Sequence, residues 1–348
     1  MKRWLIRLLP WVVTLLLIRF LVMQGGDVRA LVAELRQVQW PWLVLAILFQ
    51  AATYSAIAWL NELLLRAYGV MVPRFRQFLI QYAMAFAETV IPSVAVSGML
   101  LRVHLLRPYG ATPDVAVVTN LMETAAIALS VAAPALLVGI IVLAGGSSDG
   151  QILLWSAVAS FTVGVGSLLV VYRWRRGRLR QATSWTGQRL AVLWDESVVR
   201  RWPQRFSAWP SSRISGRLRF LWAELLPLLR RRPHLLASAL ILRAAFEATA
   251  FAACFYAFGV DLPLLTLLLL YTLTITVNTL GAVPGGVGLA EVSLASIYLQ
   301  LGIPPETAVA VALTYRITGY WLPRVVGGLG WLWLEYIHRT EAMPQGAT

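Results

Sequence analysis

The residues of this sequence best suited to chemistry lie in a proline- and glycine-rich segment that interrupts a long apolar run. Pro284 is followed by Gly285, Gly286 and Gly288, and Glu291 comes three residues after the last glycine. Glycines allow unusual backbone angles and the close approach of another group. A helix that begins after them presents unpaired N–H groups and the positive end of its dipole. The segment predicts an anion-binding turn at membrane depth, although a packing turn without a ligand has the same signature.

Other ionisable residues also lie within apolar runs, where a charge costs on the order of 2.5–3.5 kcal/mol on insertion scales and is normally paired or functional. Arg316 and Glu291 are both deep, and neither has an oppositely charged neighbour on its own predicted helix. We therefore predict an ion pair between them across two helices. Arg243 and Glu247 are four residues apart on one helix face, so we expect them to neutralise each other.

In the first half of the chain, Arg102 lies toward one end of an apolar segment, and we expect its side chain to extend to the membrane surface. Asn120 and Glu123 are three residues apart, which predicts a structural hydrogen-bonded pair on one helix. Glu88 and Arg324 complete the set of ionisable residues in apolar runs to which we give weight.

The constellations of a soluble enzyme are missing from the sequence. It contains no Ser-His-Asp pattern and no cluster of metal ligands, and its single cysteine, Cys254, lies in an apolar run. No Lys-Ser/Thr follows the glycines, which excludes a nucleotide phosphate-binding loop. We predict no catalytic residue, no metal and no cofactor, and expect that the chain is not an enzyme.

The composition is that of a polytopic helical membrane protein, because 59% of the residues are hydrophobic and only 13% are charged. The net charge is +14, and it is concentrated at 173–232, where fifteen arginines face Asp195, Glu196 and Glu224. The positive-inside rule predicts that this loop is cytoplasmic. Its six tryptophans also suit contact with anionic lipid. Nucleic-acid binding is disfavoured because the loop is tethered to the membrane at both ends.

An internal repeat with an offset of 192 residues superposes Pro92 on Pro284 and Gly110 on Gly302. Both copies place a helix-breaking turn at membrane depth, which survives only where protein buries it or where it lines a cavity. With the basic loop inside, the single crossing at 151–172 inverts the second copy relative to the first. Inverted repeats with broken helices are typical of secondary transporters.

The predicted organisation is one all-α integral membrane domain over 1–348, with repeat one at about 38–145 and repeat two at about 234–337. Each repeat contains a hairpin that is either re-entrant or two full crossings. Both termini are expected on the cytoplasmic side of the cytoplasmic (inner) membrane. The predicted helical segments are 4–23, 38–60, the hairpin 77–91 and 95–109, 114–144, 151–172, 234–258, the hairpin 264–283 and 288–301, and 305–337.

The motifs resemble the membrane domain of bacterial lysylphosphatidylglycerol synthetase/flippase proteins and its stand-alone relatives, over nearly the whole chain. The residues that carry the resemblance are Pro284–Glu291, Leu313–Arg316, Trp321–Pro323, the glycines Gly327, Gly328 and Gly330, and Pro92-Ser93, Ser97-Gly98 and Arg102 in the first half. The chain departs from the family pattern at Met99, Thr124 and Ile127, where many relatives carry Glu, Arg and an acidic residue.

The resemblance implies a lipid flippase or lipid transporter whose substrate is an anionic or aminoacylated phospholipid, or a polyprenyl-linked lipid. It implies that the glycine turn, Glu291, Tyr315, Arg316, Arg102 and Glu123 bind the head group. The chain reaches Thr348 without a soluble aminoacyl-transfer domain, so we do not expect it to synthesise an aminoacyl lipid. Two alternatives are a membrane-embedded polyprenyl-phosphate-dependent glycosyltransferase and a non-transporting partner of a lipid-modifying enzyme. The sequence leaves the oligomeric state open.

Overall fold

The computed structural model describes residues 27–90, 96–144, 162, 233–280, 289–300 and 302–342. Helices dominate these ranges, which contain no β-strand, and the predicted all-α class is confirmed. The predicted crossing at 4–23, the basic loop at 173–232 and, apart from Thr162, the crossing at 151–172 lie outside the described residues.

The predicted segments in the described ranges are helical, and the long segment at 305–337 is divided in two. A 3₁₀ turn covers Arg107–Tyr109, and a π-helical segment covers Ile317–Trp321. The α-helices are α1 (Val28–Arg36), α2 (Trp40–Arg66), α3 (Arg74–Val90), α4 (Val96–Leu106), α5 (Pro113–Ala144), α6 (Pro233–Tyr256), α7 (Leu264–Leu280), α8 (Leu289–Gln300), α9 (Pro305–Arg316) and α10 (Leu322–Ala342).

Among the described helices, three are long and apolar enough to cross a membrane: α2, α6 and the Pro113–Ala132 part of α5. At 1.5 Å per residue, the 27 residues of α2 reach about 40 Å. The short arms of the two hairpins, α4 and α8, have 11 and 12 residues and reach only about 17 Å. Since the hydrocarbon core is about 30 Å thick, these lengths favour re-entrant hairpins over full crossings.

The two halves contain matching helices, and α2 and α6, which correspond to each other, pack along their lengths. Trp42 contacts Tyr256 with ring centroids 5.0 Å apart, and Phe49 contacts Phe246 at 5.8 Å. The order of these contacts shows that α2 and α6 are antiparallel. Antiparallel corresponding helices are what an inverted repeat requires, and inversion across the membrane stays a prediction.

The turn after the short hairpin arm has the same geometry in both halves. Gly110 and Gly302, which the repeat superposes, both adopt left-handed backbone angles, with φ of 80° and 77°. The next amide in each turn donates to a carbonyl five residues earlier, Ala111 to Leu106 and Ile303 to Tyr298. A residue without a side chain reaches this conformation at little cost, which explains why glycine occupies both positions.

The buried apolar side chains form two clusters, and both halves contribute to each. One joins α2, α3, α4 and the start of α5 with the start of α6, and the other joins α6, α7, α8 and α9 with Ala46 of α2 and Val131 of α5. The end of α10 also reaches the first cluster, through the fully buried Leu334. The polar side chains described next lie on the helices that connect these two cores.

Candidate lipid head-group site

The first polar cluster surrounds Arg102 on α4, whose side chain is completely buried. Its Nη1 donates to Glu123 Oε2 on α5 at 2.5 Å, and its Nη2 donates to Asn61 on α2 and, at 3.1 Å, to Thr119 on α5. Asn61 in turn donates to the same Glu123 oxygen at 2.8 Å. One guanidinium therefore ties the short hairpin arm to two long helices.

The predicted extension of Arg102 to the membrane surface is wrong, because an interior carboxylate and an amide meet its charge. Asn120 and Glu123 do not bond to each other, and both accept from Arg102, Asn120 at 3.4 Å. The sequence suggested a pair within one helix, whereas the structure forms a cluster of three helices around the arginine.

The second polar cluster confirms the predicted pairing of Arg243 with Glu247 on α6. The pair also contacts neighbouring helices: Arg243 Nη1 lies 3.4 Å from Ser130 Oγ on α5, and the Tyr271 hydroxyl on α7 donates to Glu247 at 3.1 Å. The pair thus links three helices as well as neutralising itself.

A third cluster lies on the π-helical segment between α9 and α10. The guanidinium carbons of Arg316 and Arg324 lie 4.0 Å and 3.4 Å from the centroid of the Tyr320 ring. Arg316 is only 5% exposed. A π-helical turn inserts one residue into the helix and is frequently found at functional sites. Pro323 follows this turn and has no N–H to continue an α-helical ladder, which accounts for the position of the break.

The end of α3, next to the tip of the first hairpin, meets this third cluster. Arg324 Nε donates to Thr89 Oγ1 at 2.8 Å. Glu88 is the preceding residue of α3. A Cβ on Gly98 would lie 2.5 Å from Glu88 Oε1, so the glycine of the first-half motif allows the carboxylate to lie against the facing hairpin arm.

Chemically, the third cluster favours an anion. It contains two guanidiniums on α9 and α10 and one carboxylate on α3. Arginine forms forked, charge-assisted hydrogen bonds with phosphate and carboxylate groups, and these bonds are about twice as strong as neutral ones. Among the described residues, no group of histidine, cysteine, aspartate and glutamate is arranged to hold a metal ion.

The predicted site residues are only partly placed. Pro284, Gly285, Gly286 and Gly288 lie outside the described residues. Glu291 falls in the first turn of α8, but its side chain is outside the described part, so its ion pair with Arg316 stays a prediction.

Tyr315 is buried in the second core, and its ring packs edge-on against Phe251 at 5.1 Å. Arg316 belongs to the third cluster, and Arg102 and Glu123 belong to the first. The structure therefore does not bring the four described residues into one pocket. Their predicted role in binding substrate stays a prediction.

Sequence reasoning missed Tyr320 and gave no role to Glu88, Thr89 or Arg324. A signal was available, because Arg316, Tyr320 and Arg324 recur at four-residue intervals in the sequence. That spacing places them on neighbouring turns of one helix face. The contacts with α3 carried no sequence signal, since they join residues 235 positions apart.

A rim of polar contacts holds the open end of the first hairpin against the end of α10. Arg76 binds both carboxylate oxygens of Glu341, at 3.1 Å and 2.6 Å, and also donates to the Tyr109 hydroxyl at 3.2 Å. His104 Nε2 lies 2.6 Å from Glu335 Oε1. These contacts join α3 and α4 to α10 near the start of α3. The third cluster lies near the other end of α3, where Thr89 meets Arg324.

Comparison with known proteins identifies the family. A UPF0104 membrane protein of Methanothermobacter thermautotrophicus is 35% identical over 75 residues, and a UPF0104 membrane protein of Pyrococcus horikoshii is 31% identical over 75 residues. Each match covers 22% of this chain and 22% of the curated relative. A family model described as the lysylphosphatidylglycerol synthase TM region matches residues 7–327. Because this match spans nearly the whole sequence, the chain belongs to the lysylphosphatidylglycerol synthase TM region family.

Proposed function

We propose that the protein is a lipid flippase that moves a phosphate-bearing lipid head group across the cytoplasmic membrane. The family concerns a membrane region associated with lysylphosphatidylglycerol synthesis, which supports a function in membrane lipid chemistry. Transport, and not synthesis, is the proposed activity of this chain.

One observation carries the proposal: Arg316 and Arg324 flank Tyr320 where the helix changes to π-helical geometry. Charged side chains within membrane segments are costly and mark ion or substrate pathways. Cation–π contacts with the aromatic ring hold the two guanidiniums at fixed positions, and guanidiniums form strong, charge-assisted hydrogen bonds with phosphate oxygens. Glu88 precedes Thr89, which accepts from Arg324, and its carboxyl group contributes at most one negative charge beside the two guanidiniums.

The proposed mechanism uses the meeting of the two halves at this cluster. The end of α3 lies on one side, and the π-helical segment with the start of α10 lies on the other. Movement of one half against the other would expose the head-group site first to one leaflet and then to the other, as in transporters with inverted repeats. The antiparallel contact of α2 with α6 supports this arrangement.

The proposed orientation places the open end of the first hairpin in the cytoplasm. Basic residues gather near that end of the described helices, where Arg66, Arg74, Arg76 and Arg107 lie. Fewer basic residues lie near the other end, where Arg29 and Arg36 accompany Asp27, Glu34, Asp261 and Glu306. The positive-inside rule favours the basic end as cytoplasmic.

Leaflet exchange in liposomes tests the proposal, with the purified protein and labelled phosphatidylglycerol, its lysyl ester or a polyprenyl phosphate. We expect exchange of one lipid class and a loss of roughly tenfold or more in Arg316→Gln and Arg324→Gln, because each removes charge-assisted hydrogen bonds to the head group. Arg107→Gln, which removes an exposed arginine of the 3₁₀ turn, is the matched control and should retain wild-type exchange.

Wild-type exchange in a well-folded Arg324→Gln variant would contradict the proposed site. Flat traces for all three lipids with folded wild-type protein would favour the glycosyltransferase or scaffolding alternatives. A parallel assay with a labelled lipid-linked sugar then separates these two, because only a transferase forms product. Glu291→Gln in the same assay tests the predicted ion pair with Arg316.

A further inference from the structure

A groove between α2 and α3 lies apart from the three polar clusters. It has a volume of about 680 Å³ and is lined by Ser55, Ala58, Trp59, Glu62, Arg74, Phe75 and Phe78. This volume falls within the roughly 300–1,000 Å³ that is typical of small-molecule sites. Most of the lining is apolar, and three of the seven residues are aromatic.

The polar end of the groove is built around one buried carboxylate. Glu62 is 8% exposed, and it binds Arg66 Nη2 at 2.5 Å and Arg74 Nε at 3.2 Å. The two arginine side chains are 54% and 81% exposed. Glu62 therefore positions two guanidiniums whose outward groups remain accessible, and the three residues together carry one excess positive charge.

The apolar part of the groove faces outward beside this charged end. Phe75 is 61% exposed, and its ring packs edge-on against Trp333 of α10 at 5.7 Å. Tryptophan and tyrosine are enriched where a membrane protein meets the head-group layer, and Trp59 lines the groove while Trp333 packs beside it. A cationic rim next to an apolar, aromatic wall matches the chemistry of a phospholipid, whose phosphodiester is adjacent to its acyl chains. A free phosphate ion would make no use of the aromatic wall.

We propose that this groove binds a glycerophospholipid. Its phosphodiester contacts Arg74, which lines the groove, and Arg66, which Glu62 holds beside it, and an acyl chain lies along Trp59, Phe75 and Phe78. The inference rests on the proposed lipid transport, for which the groove is the site where the lipid leaves its leaflet. A row of aromatic rings supports this continuity. Phe78 contacts Tyr82 at 4.7 Å, and Tyr82 stacks on Tyr54 at 4.2 Å.

Helix α3 connects this row to the third cluster, because it carries Phe78 and Tyr82 and, near its end, Thr89, which accepts from Arg324 Nε at 2.8 Å. The groove and the head-group site are thus joined along α2 and α3. Each of the two sites also carries a pair of arginines: Arg66 and Arg74 at the groove, and Arg316 and Arg324 at the head-group site.

The test places the photoreactive residue benzoylphenylalanine at position 75 and at position 332, where the exposed Leu332 of α10 provides a lipid-facing control. The protein is purified in detergent, which removes bulk lipid, and is then irradiated with graded additions of phosphatidylglycerol. Adducts are counted by mass spectrometry. We expect a saturable phospholipid adduct at position 75 and little at position 332.

Three probes define the ligand. Diacylglycerol, which has the acyl chains but no phosphodiester, should give roughly tenfold less adduct with the wild-type protein. The double variant Arg66→Gln and Arg74→Gln should show a similar loss with phospholipid. Ser55→Trp, which fills the groove without altering its charges, should also remove the adduct. Equal, non-saturable adducts at positions 75 and 332, or an adduct unaffected by these variants, would overturn the proposal.

A matched experiment separates this inference from the proposed transport. Arg324→Gln should abolish leaflet exchange and leave the adduct at position 75 unchanged, because Arg324 does not line the groove. Loss of the adduct in Ser55→Trp with wild-type exchange would show that the groove binds lipid but does not supply the transport site, and it would refute the proposed path.

Discussion

A buried arginine in a membrane segment requires a counter-charge and hydrogen-bond acceptors, and Arg102 illustrates the requirement. Glu123 neutralises it, and Asn61, Thr119 and Asn120 accept hydrogen bonds from its two terminal nitrogens, whereas its buried Nε has no hydrogen-bond partner. Removing one member of such a pair is costly because the other charge stays buried without compensation. Arg102→Met should therefore lower the free energy of unfolding by about 3–5 kcal/mol, measured by denaturation of the purified protein in mixed micelles.

The double variant Arg102→Met with Glu123→Leu separates a structural role from substrate binding. Because it removes both charges, it should be less destabilised than the sum of the single variants, since neighbouring residues couple. If the cluster is structural, the double variant keeps leaflet exchange. Strictly additive losses of stability would show that the ion pair contributes nothing, and a stable double variant without exchange would support the predicted binding role of Arg102 and Glu123.

The helices α3 and α10 approach each other closely, and glycines on α10 make this possible. A Cβ at Gly327 would lie 2.0 Å from the Tyr82 carbonyl oxygen, whereas one at Gly330 would lie 3.2 Å from the end of the Leu79 side chain. Small residues at helix interfaces let backbones approach in this way. Gly327→Ala should cost about 1–3 kcal/mol because backbone has to move. Gly330→Ala should be nearly neutral in the same denaturation assay, and equal effects would contradict this packing.

The sequence predicted the features that depend on local apolar pattern and missed those that depend on contacts between helices distant in sequence. Segment 234–258 was predicted from its apolar length, and the helix is Pro233–Tyr256. Segment 38–60 was predicted too short, because Asn61 and Glu62 are polar yet helical and meet partners on other helices. The π-helical break and the Arg102 cluster escaped prediction for the same reason. Local pattern specifies helices, but the partner of a buried charge is set by tertiary contacts.

At the scale of the whole molecule, the two halves share a helical plan but differ in their charges. The first half surrounds Arg102 with carboxylate and amide groups, and the second uses the pair Arg243–Glu247 on its first helix. Adding 192 to residue 102 gives Leu294, which is fully buried in the second core. The two halves therefore share the arrangement of their helices, while their buried charged residues differ.

The inverted repeat makes a prediction about the loops at the two ends of α2. Arg107 lies in the 3₁₀ turn near the last residue of α2, beside Tyr109 and Arg76. Asp261 lies in the other loop, just after Gly259, which is beside Gln39 at the start of α2. Since α2 reaches about 40 Å and spans the membrane, the two loops should lie on opposite sides. We expect a membrane-impermeant maleimide to label Asp261→Cys in intact cells and Arg107→Cys only after permeabilisation.

The background for this labelling is Cys254→Ala, because the buried Cys254 is the single cysteine of the chain. Labelling of both positions from the same side would refute the inversion, whatever the direction of the termini. Labelling from opposite sides, with Arg107→Cys labelled in intact cells, would support the inversion but reverse the orientation that the basic residues predict. It would also move the groove between α2 and α3 to the outer leaflet, so the same experiment decides from which leaflet the proposed site takes its lipid.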